Sequence, residues 1–366
     1  MTMPHSNTHE TDVAIIGAGP VGLFSIFELG MLKIRAHVID TLPAVGGQCS
    51  ALYPEKPIYD IPGFPAINGQ ELIDNLAAQA EPFGPTYHLG QQVVKLERTG
   101  ESGWRVMTDK GTVIDCKAVL IAAGCGAFGP NRPPLAGLEQ YEGTSVHYMV
   151  TRREDFRDQT LVIAGGGDSA VDWAVSLAEI AKKIYMVHRR DKFRAMPETV
   201  SKMQEIAATG KIEMVIPYQL ESLAGQDINA SAPLAAGASE AKGGQAPLPR
   251  KKLHAVAMKG MDGAIREVEA DHLLAFFGLS MELGPIAEWG LNLHKNHIET
   301  TPGTCATSAP GIFAIGDIAT YPHKLKLILC GFSEAAQAAH AIRDIVYPGV
   351  AYHFEYSTTS GVPNAA

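Results

Sequence analysis

The chain contains no C-x-x-C, and no two of its cysteines stand at the spacing of a metal knuckle. Its five cysteines, Cys49, Cys116, Cys125, Cys305 and Cys330, are scattered. That is the pattern of small core residues in a reducing compartment, not of a disulfide framework. No apolar run reaches the ~18 residues that a membrane-spanning helix needs. An excess of basic residues is also lacking. The formal net charge of -9 argues against a general nucleic-acid or membrane-surface binder, while leaving room for local basic patches. The first ten residues, MTMPHSNTHE, have no apolar signal-peptide core and are expected to form a disordered lead-in, with no metal pair made by His5 and His9. These absences predict a cytoplasmic protein. The 366 residues, 46% hydrophobic and 19% charged, have room for about two domains, each with its own core.

The most informative stretch runs from Asp12 to Asp40. An apolar strand, Val13 to Ile16, leads through Gly17-Ala-Gly19-Pro20-Val-Gly22 into an amphipathic helix. A second apolar strand, Ala36 to Ile39, ends on Asp40. Gly17 allows the tight turn, Gly19 lets backbone N–H groups approach a pyrophosphate, and Gly22 lets helix pack on strand. The phosphates then sit at the positive helix N-terminus, with Pro20 in its first turn. Asp40 is placed to accept hydrogen bonds from a ribose diol. Strand, turn, helix, strand and terminal acid in register predict a dinucleotide site.

Residues 41–65 are rich in Gly, Pro and aromatics, show no period, and read as a structured loop over the bound nucleotide. Ile67 to Phe83 has a helical period. Gln91 to Leu96, Trp104 to Met107 and Val113 to Cys116 read as a small antiparallel sheet. Ala118 to Ala123 is a buried strand, and the Pro-rich residues 129–137 mark a domain boundary.

The pattern then repeats over Gln159 to Asp191. The glycine turn is Gly165-Gly-Gly167-Asp168-Ser169-Ala170, with Asp168 and Ser169 at the start of the helix, where they are expected to cap it. The second strand, Ile184 to His188, ends on Arg189 and Arg190, with Arg194 just beyond. An acid there would repel a 2′-phosphate, whereas guanidinium groups pair with one, so the second nucleotide reads as NADP(H). Residues 225–250, dominated by Ala, Gly, Ser and Pro, read as a flexible tip between two strands. From Gly311 a short strand ends on Gly316-Asp317, where a carboxylate can reach a polyol chain. Leu327 to Tyr347 reads as a helix.

Two dinucleotide motifs and a terminal Gly-Asp strand resemble the flavoprotein pyridine-nucleotide reductases. The nearest resemblance is to the thioredoxin-reductase-like ferredoxin–NADP⁺ reductases, carried by GGQCSALYPEKPIYDIPGFP, HRRDKFRA, GIFAIGDIA and the tail EYSTTS. The resemblance implies an α/β fold of two Rossmann-like, three-layer ββα dinucleotide-binding domains. FAD would occupy a discontinuous domain, residues 1–124 and 294–366, with NADPH/NADP⁺ in residues 125–293. It further implies that Gln48 and Tyr53 contact FAD, Tyr53 stacking on one flavin face. Val93 and Phe128 would line the cofactor, and Asp317 would bind the ribityl-phosphate region. Tyr356 would cover the other flavin face, with Ser357 and Thr358 hydrogen-bonding nearby. The helix after Leu327, if aimed at the flavin, would favour negative charge on the reduced ring.

Thioredoxin reductases of this shape carry a C-x-x-C before the second glycine motif, where this chain has His147-Tyr-Met-Val150. Lipoamide-dehydrogenase-like enzymes carry C-x-x-x-x-C after the first acid, where this chain has only Cys49, read as a packing residue. Without a dithiol relay, electrons must leave the flavin for an external acceptor, and ferredoxin or flavodoxin is the implied partner of a homodimeric enzyme. Lys324 and Lys326 are candidates for meeting an acidic partner. No acid, base or nucleophile is required, since hydride transfer needs alignment above all. An NAD(P)H oxidase or small-acceptor reductase stays open as the alternative. A flavin-bound redox sensor fits less well, because a sensor needs no second glycine motif with three arginines.

Overall fold

Alternation along a few buried strands sets the layers. In the computed structural model, which describes residues 7–100, 102–228, 249–353 and 357–362, Val13–Ile16 is buried at every position. Successive side chains of a strand point to opposite faces. Val13 and Ile15 join the core that also holds Leu23, Leu72 and Ala338. Ala14 and Ile16 join the one that holds Val106, Ile114 and Ile298. Ala118–Ile121 divides the same way, Leu120 to the first core and Ile121 to the second. A strand apolar on both faces belongs in the middle layer of three.

That middle layer is a five-stranded sheet in the order Ile312–Ala314, Ala118–Ile121, Val13–Ile16, Ala36–Asp40, Thr86–Leu89, with every pairing parallel. Helices Pro20–Met31, Gly69–Ala80 and Ile328–Val346 pack on one face. A four-stranded sheet of Thr8–Glu10, Val113–Cys116, Gly103–Thr108 and Val93–Thr99 covers the other. Thr8–Glu10, expected in a disordered lead-in, is therefore a strand, parallel to Val113–Cys116. Residues 1–6, including His5, lie outside the described residues. The helix expected from Ile67 begins at Gly69, because Ile67–Asn68 pairs with Pro57–Ile58. A 3₁₀ turn, Glu81–Phe83, follows it. The aperiodic loop contains a five-residue helix, Gln48–Leu52, which its composition does not announce.

The chain forms two compact units, residues 1–128 with 281–366, and residues 129–280. The divisions fall at 128/129 and 280/281 instead of the expected 124/125 and 293/294. The second differs because Leu283, Ile286 and Leu291 are buried with Val93 and Trp104 in the first unit's core.

The second unit has its own parallel sheet, ordered Val146–His147, His272–Phe276, Thr160–Gly165, Lys183–Val187, Ile212–Val215. Its helices are Asp168–Leu177 and Pro197–Ala208. An antiparallel sheet of Tyr218–Ile228, Arg250–Gly260 and Ile265–Glu269 shares its core. The ladder continues through Gly225–Ile228, paired with 250–253, so the strands reach into the segment whose composition reads as a tip. Residues 229–248 lie outside the described residues. Among the described residues, no helix is long and apolar enough to cross a membrane.

Within the second unit, Nε2 of His147 and Nδ1 of His272 share a 3.0 Å hydrogen bond. Burial, aided by His272, pushes the His147 pKa from its ordinary 6.5 down to about 3, and burial lowers His272 as well. The folded pKa lies below the unfolded one. The penalty is therefore absent above about pH 6.5, and stability is lost as pH falls from there towards the folded value. The denaturation midpoint is expected to drop between about pH 7 and pH 4.5, and to drop less steeply in His147→Gln. Parallel urea titrations across that range test this, and equal slopes for the two proteins would remove His147 as a cause.

Candidate functional site

Among the described residues a cleft opens in each unit where a parallel strand turns into a helix. In the first, Gly17 has φ +113°, and a Cβ there would lie 2.3 Å from the Ala122 carbonyl oxygen. A Cβ on Gly22 would lie 2.0 Å from the Gly17 carbonyl oxygen. Neither position accepts a side chain. Gly22 serves this backbone approach and is not part of the cleft wall. The wall does include Gly17, Gly19, Pro20, Asp40, Gln48, Tyr53, Val93 and Asp317, around an empty space of about 1320 Å³ that is partly open to solvent.

Asp40 is tied to the turn itself. Its Oδ2 accepts from the Ala18 N–H at 2.6 Å and its Oδ1 from the Leu42 N–H at 2.8 Å. Burial pushes its carboxyl above the usual range, against these bonds and those from Thr41, which favour the charged form. The Gly46 N–H donates to the Ala18 carbonyl at 2.8 Å, seating the following loop on the turn. Tyr53 packs beside Cys49, whose Sγ lies 3.6 Å from the tyrosine oxygen. Burial raises both groups. A buried thiol held protonated is a poor nucleophile, in keeping with a packing residue. All five cysteines are free.

Asp317 stands in the short turn Gly316–Ile318, held from behind by Glu334. Sequence reasoning missed Glu334, the seventh residue of the helix Ile328–Val346, on a buried alanine-rich face that also carries Arg343. Its side chain is 3% exposed. It accepts from the Gly316 N–H at 2.7 Å, from the Tyr321 hydroxyl at 2.7 Å and from the Lys324 ammonium. Lys324, expected to meet a partner, is thus 5% exposed and paired. Its charge is consumed internally. Lys326, whose ammonium donates to His297 Nε2, lines the cleft together with Leu327, Ile328 and Trp289. Leu327 gives no side-chain cap to the helix Ile328–Val346. Phe128 lies in the strand Ala127–Pro130, its side chain outside the described ones, as is that of Ser357. Tyr356 lies outside the described residues. Thr358 is exposed and is not part of this wall.

The second cleft repeats the geometry. Gly165 has φ +155°, and a Cβ there would meet the Phe276 carbonyl oxygen at 2.6 Å. Around Gly167 a Cβ would meet nothing within 4 Å, so the approach to the helix start is open. Gly165, Gly167, Asp168, Ser169, Arg189 and Arg194 line it. Arg190 is exposed and not among the lining residues. Neither Asp168 nor Ser169 makes the expected cap, since the helix has no side-chain cap bond. Asp168 Oδ1 instead accepts from the Met196 N–H at 2.9 Å. The Arg194 N–H donates to the Gly166 carbonyl at 2.7 Å. These two bonds clamp the arginine loop to the glycine turn. His188, also missed, stacks on Phe193, and burial followed by the nearby arginines lowers its pKa. It lines the cleft, and its buried Nε2 has no partner among the described residues.

Removing one member of a buried ion pair strands the other charge, at a cost of about 3–5 kcal/mol. Glu334→Ala is expected to lose stability on that scale, measured by urea unfolding. A loss below about 1 kcal/mol would mean that the pair behaves as a surface one.

Comparison with known proteins agrees with this architecture. Residues 11–343 match the pyridine nucleotide-disulphide oxidoreductase family. A ferredoxin–NADP reductase of Paramagnetospirillum magneticum is 55% identical over 355 residues, 97% of this chain and 98% of the relative. One from Granulibacter bethesdensis is 56% identical over 356 residues, 97% of this chain and 95% of the relative. Among solved structures, thioredoxin reductase of Lactococcus lactis superposes with a TM-score of 0.73 at 25% identity, covering 92% of this chain and 99% of the other.

Proposed function

The chain belongs to the pyridine nucleotide-disulphide oxidoreductase family, alongside the ferredoxin–NADP reductases, and from that premise we propose that it carries electrons between NADP(H) and a one-electron protein carrier, ferredoxin or flavodoxin. The observation that carries this reading is a pair of glycine-turn clefts with opposite strand-end chemistry, Asp40 in one and Arg189 in the other. No dithiol spacing accompanies either. Bound FAD supplies the step between two-electron hydride chemistry and single-electron delivery.

The first cleft fits that cofactor. Its glycine turn leaves main-chain N–H groups and a helix N-terminus for the pyrophosphate. Asp40 stands on the wall as an acceptor for ribose hydroxyls, and the buried Trp289 Nε1 on the wall has no partner among the described residues. Tyr53 supplies a stacking face and Gln48 an amide. Asp317, braced through the Gly316–Glu334 bond, receives the polyol. The N-terminus of Ile328–Val346, without a side-chain cap, favours negative charge at the cleft. The second cleft fits NADP(H). Gly167 leaves room for phosphate, Ser169 and the unpartnered His188 Nε2 offer donors, and Arg189 and Arg194 meet the 2′-phosphate. No residue of the chain exchanges a proton in this scheme. The protein binds and aligns. The working form is a homodimer in the cytoplasm, which light scattering and fractionation check.

The test is NADPH oxidation by the purified flavoprotein, with ferredoxin and cytochrome c as one acceptor system and oxygen alone as the other. Turnover is expected to depend on ferredoxin. Equal turnover without it would make the chain an oxidase or small-acceptor reductase. A charge-assisted hydrogen bond contributes about 1.5–3 kcal/mol, so Arg189→Ala or Arg194→Ala should raise KM for NADPH roughly ten- to a hundredfold with NADH little changed. Arg190→Ala, off the cleft wall, should do less. Equal losses for both nucleotides would defeat the 2′-phosphate assignment.

A further inference from the structure

Three histidines from three strands converge in the first unit, none of them on the wall of its cleft. His9 lies on Thr8–Glu10, where it is half-buried while Thr8 and Glu10 are exposed, so it points inward. His37 lies on Ala36–Asp40 and His88 on Thr86–Leu89. Ala36 and Val38 pack into the helix-side core, as do Tyr87 and Leu89. Alternation therefore turns both histidines to the opposite face, towards the sheet that carries His9. One ligating atom from each ring falls within 4.8 Å of the others. His37 Nδ1 and His88 Nε2 are already 3.0 Å apart. Two nitrogens bound tetrahedrally to Zn²⁺ stand ~3.3 Å apart, from Zn–N bonds of about 2.0–2.1 Å.

From this convergence we infer that His9, His37 and His88 form a binding site for a divalent transition-metal ion of the imidazole-preferring class, with Zn²⁺ as the representative ion. Three neutral nitrogens suit Zn²⁺, Cu²⁺ or Ni²⁺ and offer little to Mg²⁺ or Ca²⁺, which take oxygen ligands. They leave a fourth position for water. Whichever of His37 and His88 donates in their mutual hydrogen bond moves that proton to its other ring nitrogen, so the change is one of tautomer without net proton release. His9 Nε2 lies 3.1 Å from the Asn7 Oδ1, a contact that can orient the ring. Arg35, a cation whose charge acts on His37, is paired with Asp12. Such an ion would pin the first described strand to two strands of the central sheet, one of which ends in Asp40.

The experiment uses the untagged holoprotein, stripped with EDTA and titrated with ZnCl₂ by calorimetry, with thermal unfolding followed in parallel. One Zn²⁺ per chain is expected, with a rise in Tm. Binding should weaken at least tenfold in both His9→Ala and His88→Gln, and the Tm rise should vanish in both. His9→Ala sits on a short edge strand, which keeps the test readable if His88→Gln folds poorly. Co²⁺ should give tetrahedral d–d bands without a thiolate charge-transfer band. Absence of stoichiometric binding, binding unchanged in His9→Ala, or a thiolate band would each overturn the proposal, leaving an imidazole hydrogen-bond cluster.

Discussion

Main-chain contact at the end of a parallel strand is the constraint on which both clefts depend. Gly17 lies against the carbonyl that follows one neighbouring strand, and Gly165 against the carbonyl that ends another. A methyl group at either position would push the turn off its sheet. The helix would then start elsewhere, and its N-terminal N–H groups would no longer share an opening with the strand-end residue. The same steric rule is satisfied twice, by the Ala122 oxygen in one unit and the Phe276 oxygen in the other. What distinguishes the clefts is the residue set on the next strand: an acid bonded back to the turn in the first, a guanidinium in the second.

Much of this architecture can be read in the sequence, because it rests on periods and on turn chemistry. Strands apolar on both faces, such as Val13–Ile16, announce a middle layer. Glycines at the turn announce close approach. Less legible is whatever depends on a contact remote in sequence. Glu334 looks like a surface charge on a helix, and Lys324 like a docking residue, yet each buries the other. Asp168 stands where a cap belongs, yet the loop 28 residues later offers it a better donor. His9 sits in a polar stretch that composition reads as disordered. It is ordered because Val113–Cys116 supplies a strand partner and two other histidines face it. The second crossing between units is displaced for a related reason, since Leu283 and Ile286 find their burial with Val93, nearly two hundred residues earlier in the chain.

The two clefts also solve the problem of a polar wall differently. In the first, the wall carries carboxylates and each is restrained by main chain, Asp40 directly and Asp317 through Glu334. In the second, restraint falls on the loop, and the arginine side chains project from it without an ion pair among the described residues.

That last arrangement separates architecture from selectivity. The loop is fastened through the N–H groups of Arg194 and Met196, and every residue except proline carries an N–H. Side chains at these positions can therefore change without unfastening the loop. A lineage or an engineer can rewrite the charge lining this cleft while the scaffold stays put. The charge of the second cleft is a replaceable part of this chain.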